Sequence, residues 1–321
     1  MKSALVAVLA ASMLTAVAGS VSHADATTPC ASATTNRALS TWLPGAVSTP
    51  TEADYYRFTT TSSEWALIKL GGLTADLQLK LYDSSCRLIT TSQHAGTRFE
   101  QIYRSLSAGR YYLGVSGVGG ATSSYKVRFA PLSDGTHVLS SHLFTTYYRS
   151  DLLEVDGEAL NNRSQAWFLR YITVKFYDSG GHLVASTDGS FARSYTGARS
   201  RMPFSAQILK PSKSFDRYTV SVTTEDPGNF PVPQTAKIVP SPAWVDSQGI
   251  RHDPGSVTNT STKTVWLGSV AATLYDSYGN VRYMGEGVIV PDSLAPQETG
   301  GFDVVIGPAP GVNAVAWLIV D

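Results

Sequence analysis

The chain has 321 residues, with 25 Lys plus Arg against 25 Asp plus Glu and a formal net charge of zero. That balance excludes a basic field for nucleic acid or anionic lipid, and it excludes an acidic tail. A hydrophobic content of 43% is enough for packed cores, while only 16% of residues are charged, which suits β modules whose exposed faces carry hydroxyls.

The N-terminus, "MKSALVAVLAASMLTAVAGSVSHADA", has Lys2 as its only early charge, an apolar run to Val17, and small residues at Ser22, Ala24 and Ala26. This is the pattern of a secretory signal peptide, expected to span residues 1–26 and to be cleaved. No later run reaches the roughly 18 apolar residues that a spanning helix needs. The expectation is therefore a secreted, extracellular chain with no stable membrane insertion after cleavage. There are two cysteines, Cys30 and Cys86. Export places them where disulfides persist, two thiols allow one pairing, and no Cys-x-x-Cys spacing offers a zinc or redox site. Closing that loop stabilises the fold by about 4 kcal/mol on the chain-entropy estimate.

The segments "DYYRFTT", "WALIKLGG", "DLQLKLYD", "RFEQIYRSL", "GRYYLGVSG" and "YKVRFA" follow between Asp54 and Ala130. They are short, rich in β formers, and separated by Gly, Ser and Asp clusters. In "DLQLKLYD", Leu77, Leu79 and Leu81 fall on one face and Gln78 and Lys80 on the other, the period of a half-buried strand. Such a series predicts an antiparallel sandwich or barrel. In "GRYYLGVSG" the alternation puts Tyr111, Leu113 and Val115 inward and leaves Tyr112 outward beside Gly114. Tyr112 is thus the candidate binding residue, with a flat ring suited to stacking on a sugar or a proline-rich chain.

The order "EADYYRFTT … DLQLKLYDSSCRLITTS … LSAGRYYLGVSG … SSYKVRF" resembles the bacterial pre-peptidase C-terminal (PPC) domain. The motifs that carry it are Asp54–Phe58, Leu79–Asp83 and Ala108–Val115. The resemblance implies a jelly-roll-like β-sandwich over residues 27–131, of a kind appended to secreted peptidases and other exported proteins, some of which bind collagen or calcium. No calcium site is expected here, because Thr27 to Pro50 contains no Asp or Glu and calcium sites draw on several oxygen ligands, usually carboxylates.

After a break at "PLSDGTH" (Pro131–His137), the remaining chain is duplicated. A shift of 98 residues lays Gly157–Gly189 over Gly255–Gly287 with eight identities: Gly157/Gly255, Asn161/Asn259, Leu169/Leu267, Tyr177/Tyr275, Asp178/Asp276, Ser179/Ser277, Gly181/Gly279 and Gly189/Gly287. Downstream, "LKPSKSFD" (Leu209–Asp216) is matched with "LAPQETGGFD" (Leu294–Asp303), which requires length changes between the two blocks. Each copy resembles the FxLYD-type module, a small exported immunoglobulin-like sandwich. The two copies are expected at residues 137–228 and 238–321, joined by a Pro-rich linker at 229–237 within a stretch, Pro227–Pro242, that holds five prolines. Such a segment should be extended and act as a spacer.

One phrase occurs three times, as "KLYDSSCRL" from Lys80, "KFYDSGGHL" from Lys175 and "TLYDSYGNV" from Thr273. It reads as a turn between strands. Asp bonds back to the backbone, and Gly accepts the positive φ of a tight turn. No catalytic constellation accompanies it. His137 and His142 do not match H-E-x-x-H. "GVSGVGG" (Gly114–Gly120) has the spacing of neither a nucleophile elbow nor a phosphate loop. The sequence therefore predicts an all-β protein of three tandem sandwiches, without catalytic, cofactor or metal residues. It would work by binding an extracellular protein, matrix polymer or polysaccharide. The competing readings are a secreted hydrolase or peptidase accessory protein with a site hidden from sequence, and a cell-surface spacer. Non-reducing mass spectrometry of the secreted protein should find one peptide linked through Cys30 and Cys86; two alkylatable thiols in the native protein would overturn the pairing.

Overall fold

The computed structural model describes residues 33–35, 40–193, 195–225 and 236–320. The expected signal peptide and Cys30 lie outside the described residues, so the Cys30–Cys86 pairing does too. Among the described residues the chain is all β, with a single three-residue 3-10 turn at Val118–Gly120. The sheets are antiparallel except where Thr34 and Thr35 run parallel to Tyr56 and Arg57. They form three successive β-sandwiches.

In the first, a five-stranded sheet has the order Thr34–Thr35, Ala53–Thr60, Gly109–Gly117, Leu77–Tyr82, Leu88–Ser92. A four-stranded sheet runs Leu43–Val47, Ser123–Leu132, Glu64–Gly71, Glu100–Leu106. Leu77, Leu79 and Leu81 are fully buried, as the alternation requires, and join Ile68, Leu70, Leu113 and Val127 in the core. Burying each such side chain contributes about 1.5–3 kcal/mol.

The second sandwich pairs Thr136–Thr145, Leu152–Asn161 and Arg201–Leu209 in one face and Leu183–Phe191, Trp167–Tyr177 and Arg217–Glu225 in the other. The strand Leu183–Phe191 crosses over, because Ser190 and Phe191 pair with Ser205 and Phe204. The third sandwich sets Ala236–Pro240, Arg251–Asn259 and Thr299–Ile306 against Val281–Val288, Ser269–Tyr275 and Ala314–Val320.

The duplication has a physical explanation at each repeated residue. A Cβ on Gly157 would lie 2.2 Å from the ring of Phe204, and one on Gly255 would lie 2.4 Å from the ring of Phe302. Only glycine lets each phenylalanine cross the strand at that point. Asn161 donates through its amide to the carbonyls of Gln165 and Gly197, and Asn259 donates to those of Lys263 and Leu294. Leu169 and Leu267 are both buried. The Gly–Phe contacts also correct the downstream match. Phe204 and Phe302 are 98 positions apart, so the original shift continues without a gap into this strand. Equivalence of Leu209–Asp216 with Leu294–Asp303 is therefore wrong. Beyond the strand the offset falls to 97, since Asp216 donates its N–H to the carbonyl of Tyr177, and Asn313 donates to that of Tyr275.

The repeated phrase forms the same turn three times. Asp83, Asp178 and Asp276 each donate N–H to the carbonyl four positions on, and each carbonyl accepts the N–H three positions on. The carboxylates cap the turn, accepting N–H from Ser85 and Arg87, from His182, and from Tyr278 and Asn280. The residue at the fourth position has positive φ: 62° at Cys86, 82° at Gly181 and 69° at Gly279. Each turn is preceded by a register shift at the tyrosine, the bulge that accompanies a type I turn with a left-handed residue. Asp246 makes a fourth copy in "VDSQGI", capping Gln248 and Ile250, with Gly249 at φ 81°.

The third of these turns is wedged into the first sandwich. Gly72 donates its N–H to the carbonyl of Ser277 at 2.9 Å. A Cβ on Gly71 would lie 2.7 Å from Tyr278 Cα, and the Tyr278 ring stands edge-on to Trp42 at 5.4 Å. Lys69, buried in its strand, donates its ammonium to the carbonyl of Gly279 at 2.6 Å. Burial, and after it the Arg201 charge, holds the Lys69 pKa down to about 8.

The second sandwich joins the same junction. Tyr275 donates its hydroxyl to Glu158 at 2.5 Å, and Arg201 Nη1 donates to Glu158 at 3.0 Å. Val281 donates its N–H to the Ser140 hydroxyl at 2.9 Å. The last two sandwiches therefore touch directly, and most of the Pro-rich linker expected at 229–237 lies outside the described residues. Residues 226–235 lie outside the described residues, and Ala236 and Lys237 already belong to a strand paired with Thr258 and Asn259.

A Cβ on Gly279 would stand 2.7 Å from the Phe99 ring, whereas one on Gly181 meets nothing nearer than 3.8 Å. Both positions have positive φ, so Gly181→Ala should cost about 1 kcal/mol from the backbone alone. Gly279→Ala adds a clash and should cost about 2–3 kcal/mol. Urea denaturation checks this; equal losses would mean that the wedge carries no energy.

Candidate binding cleft between the second and third sandwiches

Tyr112 lies on the outer face of its sheet, as alternation implies, but its ring is only 5% exposed. It therefore does not offer the accessible platform expected of it. Its cross-strand neighbours are Arg57 and Tyr82, which flank it on the same face. The rings of Tyr55 and Tyr82 also close over Gly114, within 2.9 and 3.1 Å of where a Cβ would stand. The small residue that was to leave space is instead roofed by tyrosines. Cys86 sits at a turn position that glycine holds elsewhere, with φ 62°.

Exposed aromatics collect at the connection "TTYYRSD" (Thr145 is the last strand residue). Buried Thr146 fixes this loop. It donates its N–H to the carbonyl of Leu152 at 3.0 Å and its hydroxyl to that of Arg149 at 2.9 Å. Tyr147 and Tyr148 are pushed outward, 56% and 54% exposed, with rings perpendicular at 5.2 Å. The Tyr147 ring lies on Gly307, 2.0 Å from where a Cβ would be. The Tyr148 hydroxyl accepts the Gln207 amide at 3.0 Å.

These rings wall a cleft of about 320 Å³ between the two sandwiches. Its floor is one row across three strands, Phe144, Glu154 and Gln207. Its far wall is Tyr283, Met284 and the segment from Val305 to Pro308. Phe144 and Tyr283 meet edge-on at 5.2 Å.

Beside the floor, on the same sheet face, the next row is His142, Asp156 and Ser205. Asp156 is fully buried, and its Oδ2 accepts the Met284 N–H at 2.7 Å. Burial first, and the Glu154 charge next, push its carboxyl well above the usual carboxylate range. His142 packs against Phe144 and Tyr283; burial, then the Arg282 charge, lowers its pKa. Ser, His and Asp do meet here, but not as a triad. The carboxylate rather than the imidazole is central, Ser205 donates its hydroxyl to Glu154 at 2.8 Å, and His142 Nδ1 faces the Leu143 carbonyl at 3.1 Å. A catalytic Ser–His pair needs the imidazole on the hydroxyl.

Little in the sequence marks this site. Its one legible signal was a Tyr–Tyr pair in a polar connection, where exposed aromatics mark contact surfaces. The other wall comes from a segment more than a hundred residues away.

No family model matches the chain, and no curated protein does. Among solved structures, the pre-peptidase C-terminal domain of a Bacillus anthracis collagenase is 20% identical, over 30% of this chain and 96% of that one, with a TM-score of 0.27. An Aeromonas hydrophila periplasmic inhibitor of g-type lysozyme is 14% identical over 29% of this chain and 85% of that one, with a TM-score of 0.25. A calcium-binding mutant of Bacteroides uniformis beta-glucuronidase 2 is 11% identical over 78% of this chain but 27% of that one, with a TM-score of 0.32. At these scores the likenesses carry no argument about activity or ligand.

Because the folded-state pKa of Asp156 lies above its unfolded value, its contribution to stability is greatest in acid and is lost as pH rises from about 4. Asp156→Asn keeps an oxygen for the Met284 N–H and removes the ionisable group. Calorimetry should show a higher Tm than wild type at pH 8 and no gain at pH 4. A variant equally weakened at both values would overturn the assignment.

Proposed function

We propose that the chain is a secreted, non-catalytic binding protein whose extracellular partner seats in the cleft between the second and third sandwiches. The observation that carries this reading is the pair Tyr147 and Tyr148. Both are more than half exposed, yet each is fixed from below, one by Gly307 and one by Gln207. Large exposed rings that are already immobile lose little entropy on binding. The signal-like N-terminus and the PPC-like motifs of the first sandwich support an extracellular setting. The wiring of the His142, Asp156 and Ser205 row supports binding over hydrolysis.

The test is retention of the full chain on collagen-like, chitinous and peptidoglycan polymers, with Tyr147→Ala/Tyr148→Ala alongside. The variant should lose at least about tenfold in affinity, as truncating central aromatic anchors does. Unchanged retention would place binding elsewhere on the molecule.

A further inference from the structure

The chemistry of the cleft narrows its occupant. Glu154 is the only charged side chain among the twelve residues that line it. Its carboxylate accepts the Ser205 hydroxyl and makes no ion pair among the described residues. Asp156, two positions on, is fully buried, and burial followed by the Glu154 charge pushes its carboxyl well above the usual carboxylate range. Of the arginines around the cleft, Arg149 reaches Asp151 at 2.8 Å and Arg251 reaches Asp253 at 2.7 Å, while Arg282, next to the lining residue Tyr283, lies near His142. Four rings line the same cleft: Phe144, Tyr147, Tyr148 and Tyr283. Aromatic faces attract cations, most strongly where water is excluded. A floor carboxylate without a counter-charge adds Coulomb attraction of the same sign.

We propose, resting on the reading of the cleft as the binding site, that it is a cage for a cationic side chain, and that its occupant is a lysine or arginine of an extracellular peptide. A peptide is favoured over a free amine because apolar surface continues past the cage on both sides. Val305 is 45% exposed on one wall, and Leu209, on the same strand face as Gln207, is 58% exposed. A lone cation would use neither. His142 sits against Phe144 and Tyr283, opposite Asp156 on the neighbouring strand, and feels the charges of Arg282 and Asp276.

Isothermal titration of the full chain tests this with four probes: an acetylated Gly-Lys-Gly amide, the same peptide with norleucine for lysine, tetramethylammonium chloride, and a neutral β-glucan oligosaccharide. The lysine peptide should bind about tenfold more tightly than the norleucine peptide. Glu154→Gln, which preserves the Ser205 hydrogen bond and the fold, should erase that difference, and Tyr148→Ala should weaken both peptides. Equal binding of the two peptides, or an unaffected Glu154→Gln, would overturn the cation assignment. Tetramethylammonium as tight as the lysine peptide would overturn the peptide assignment. Oligosaccharide binding that Tyr148→Ala abolishes, with no lysine effect, would overturn the cage and leave the cleft standing as a binding site. Silence from every probe, together with polymer retention insensitive to the tyrosines, would overturn both.

Discussion

The seating of the third sandwich on the first depends on one contact, the turn from Asp276 to Gly279 placed against Gly71 and Gly72. The glycine pair removes the side chains that would hold the turn off. Lys69 then reaches the Gly279 carbonyl, and an ammonium taken out of water this far must be compensated. Part of that compensation comes from Glu158 and Asp276. Glu158 in turn takes the Tyr275 hydroxyl and the Arg201 guanidinium. One buried polar network therefore contains residues from all three sandwiches. Removing any member strands its partners in a dry environment, which is why such networks specify a unique arrangement.

The cleft follows from this closure. Its two walls belong to different sandwiches, and neither alone encloses Glu154. Contacts at the junction, Val281 on Ser140 and Met284 on Asp156, set the distance between the walls. The tyrosines at the mouth inherit their positions from that spacing.

Much of the fold was legible because it rests on local rules. The alternation of Leu77, Leu79 and Leu81 announced a half-buried strand. The Asp–Ser turn phrase announced its hairpins, and the 98-residue shift announced a repeat. The fourth turn, at Asp246, was overlooked because Val245 stands where the others have tyrosine, although the capping chemistry is the same. The match of Leu209–Asp216 to Leu294–Asp303 failed because it weighed residue identity over packing. A phenylalanine that needs a glycine opposite it is a stronger register mark than a shared Leu and Phe–Asp. Tyr112 was misjudged for a related reason. Period two gives the face of a strand, not what covers that face, and tyrosines on both neighbouring strands lean over it. The cleft lay beyond reach because its floor and far wall converge only through tertiary packing.

The wedge also orders events in time. Lys69 and Gly279 are 210 positions apart in the chain. Contacts of such long sequence separation close late, because a large loop must be ordered before they return any energy. The first sandwich therefore completes its own sheets with the Gly71–Gly72 seat still open, and that seat stays wet until nearly the whole polypeptide has emerged. A chain cut short before its last hairpin would present an unfilled notch flanked by Trp42 and a solvated Lys69. That exposed notch would be a mark by which a quality-control protease could tell unfinished molecules from finished ones.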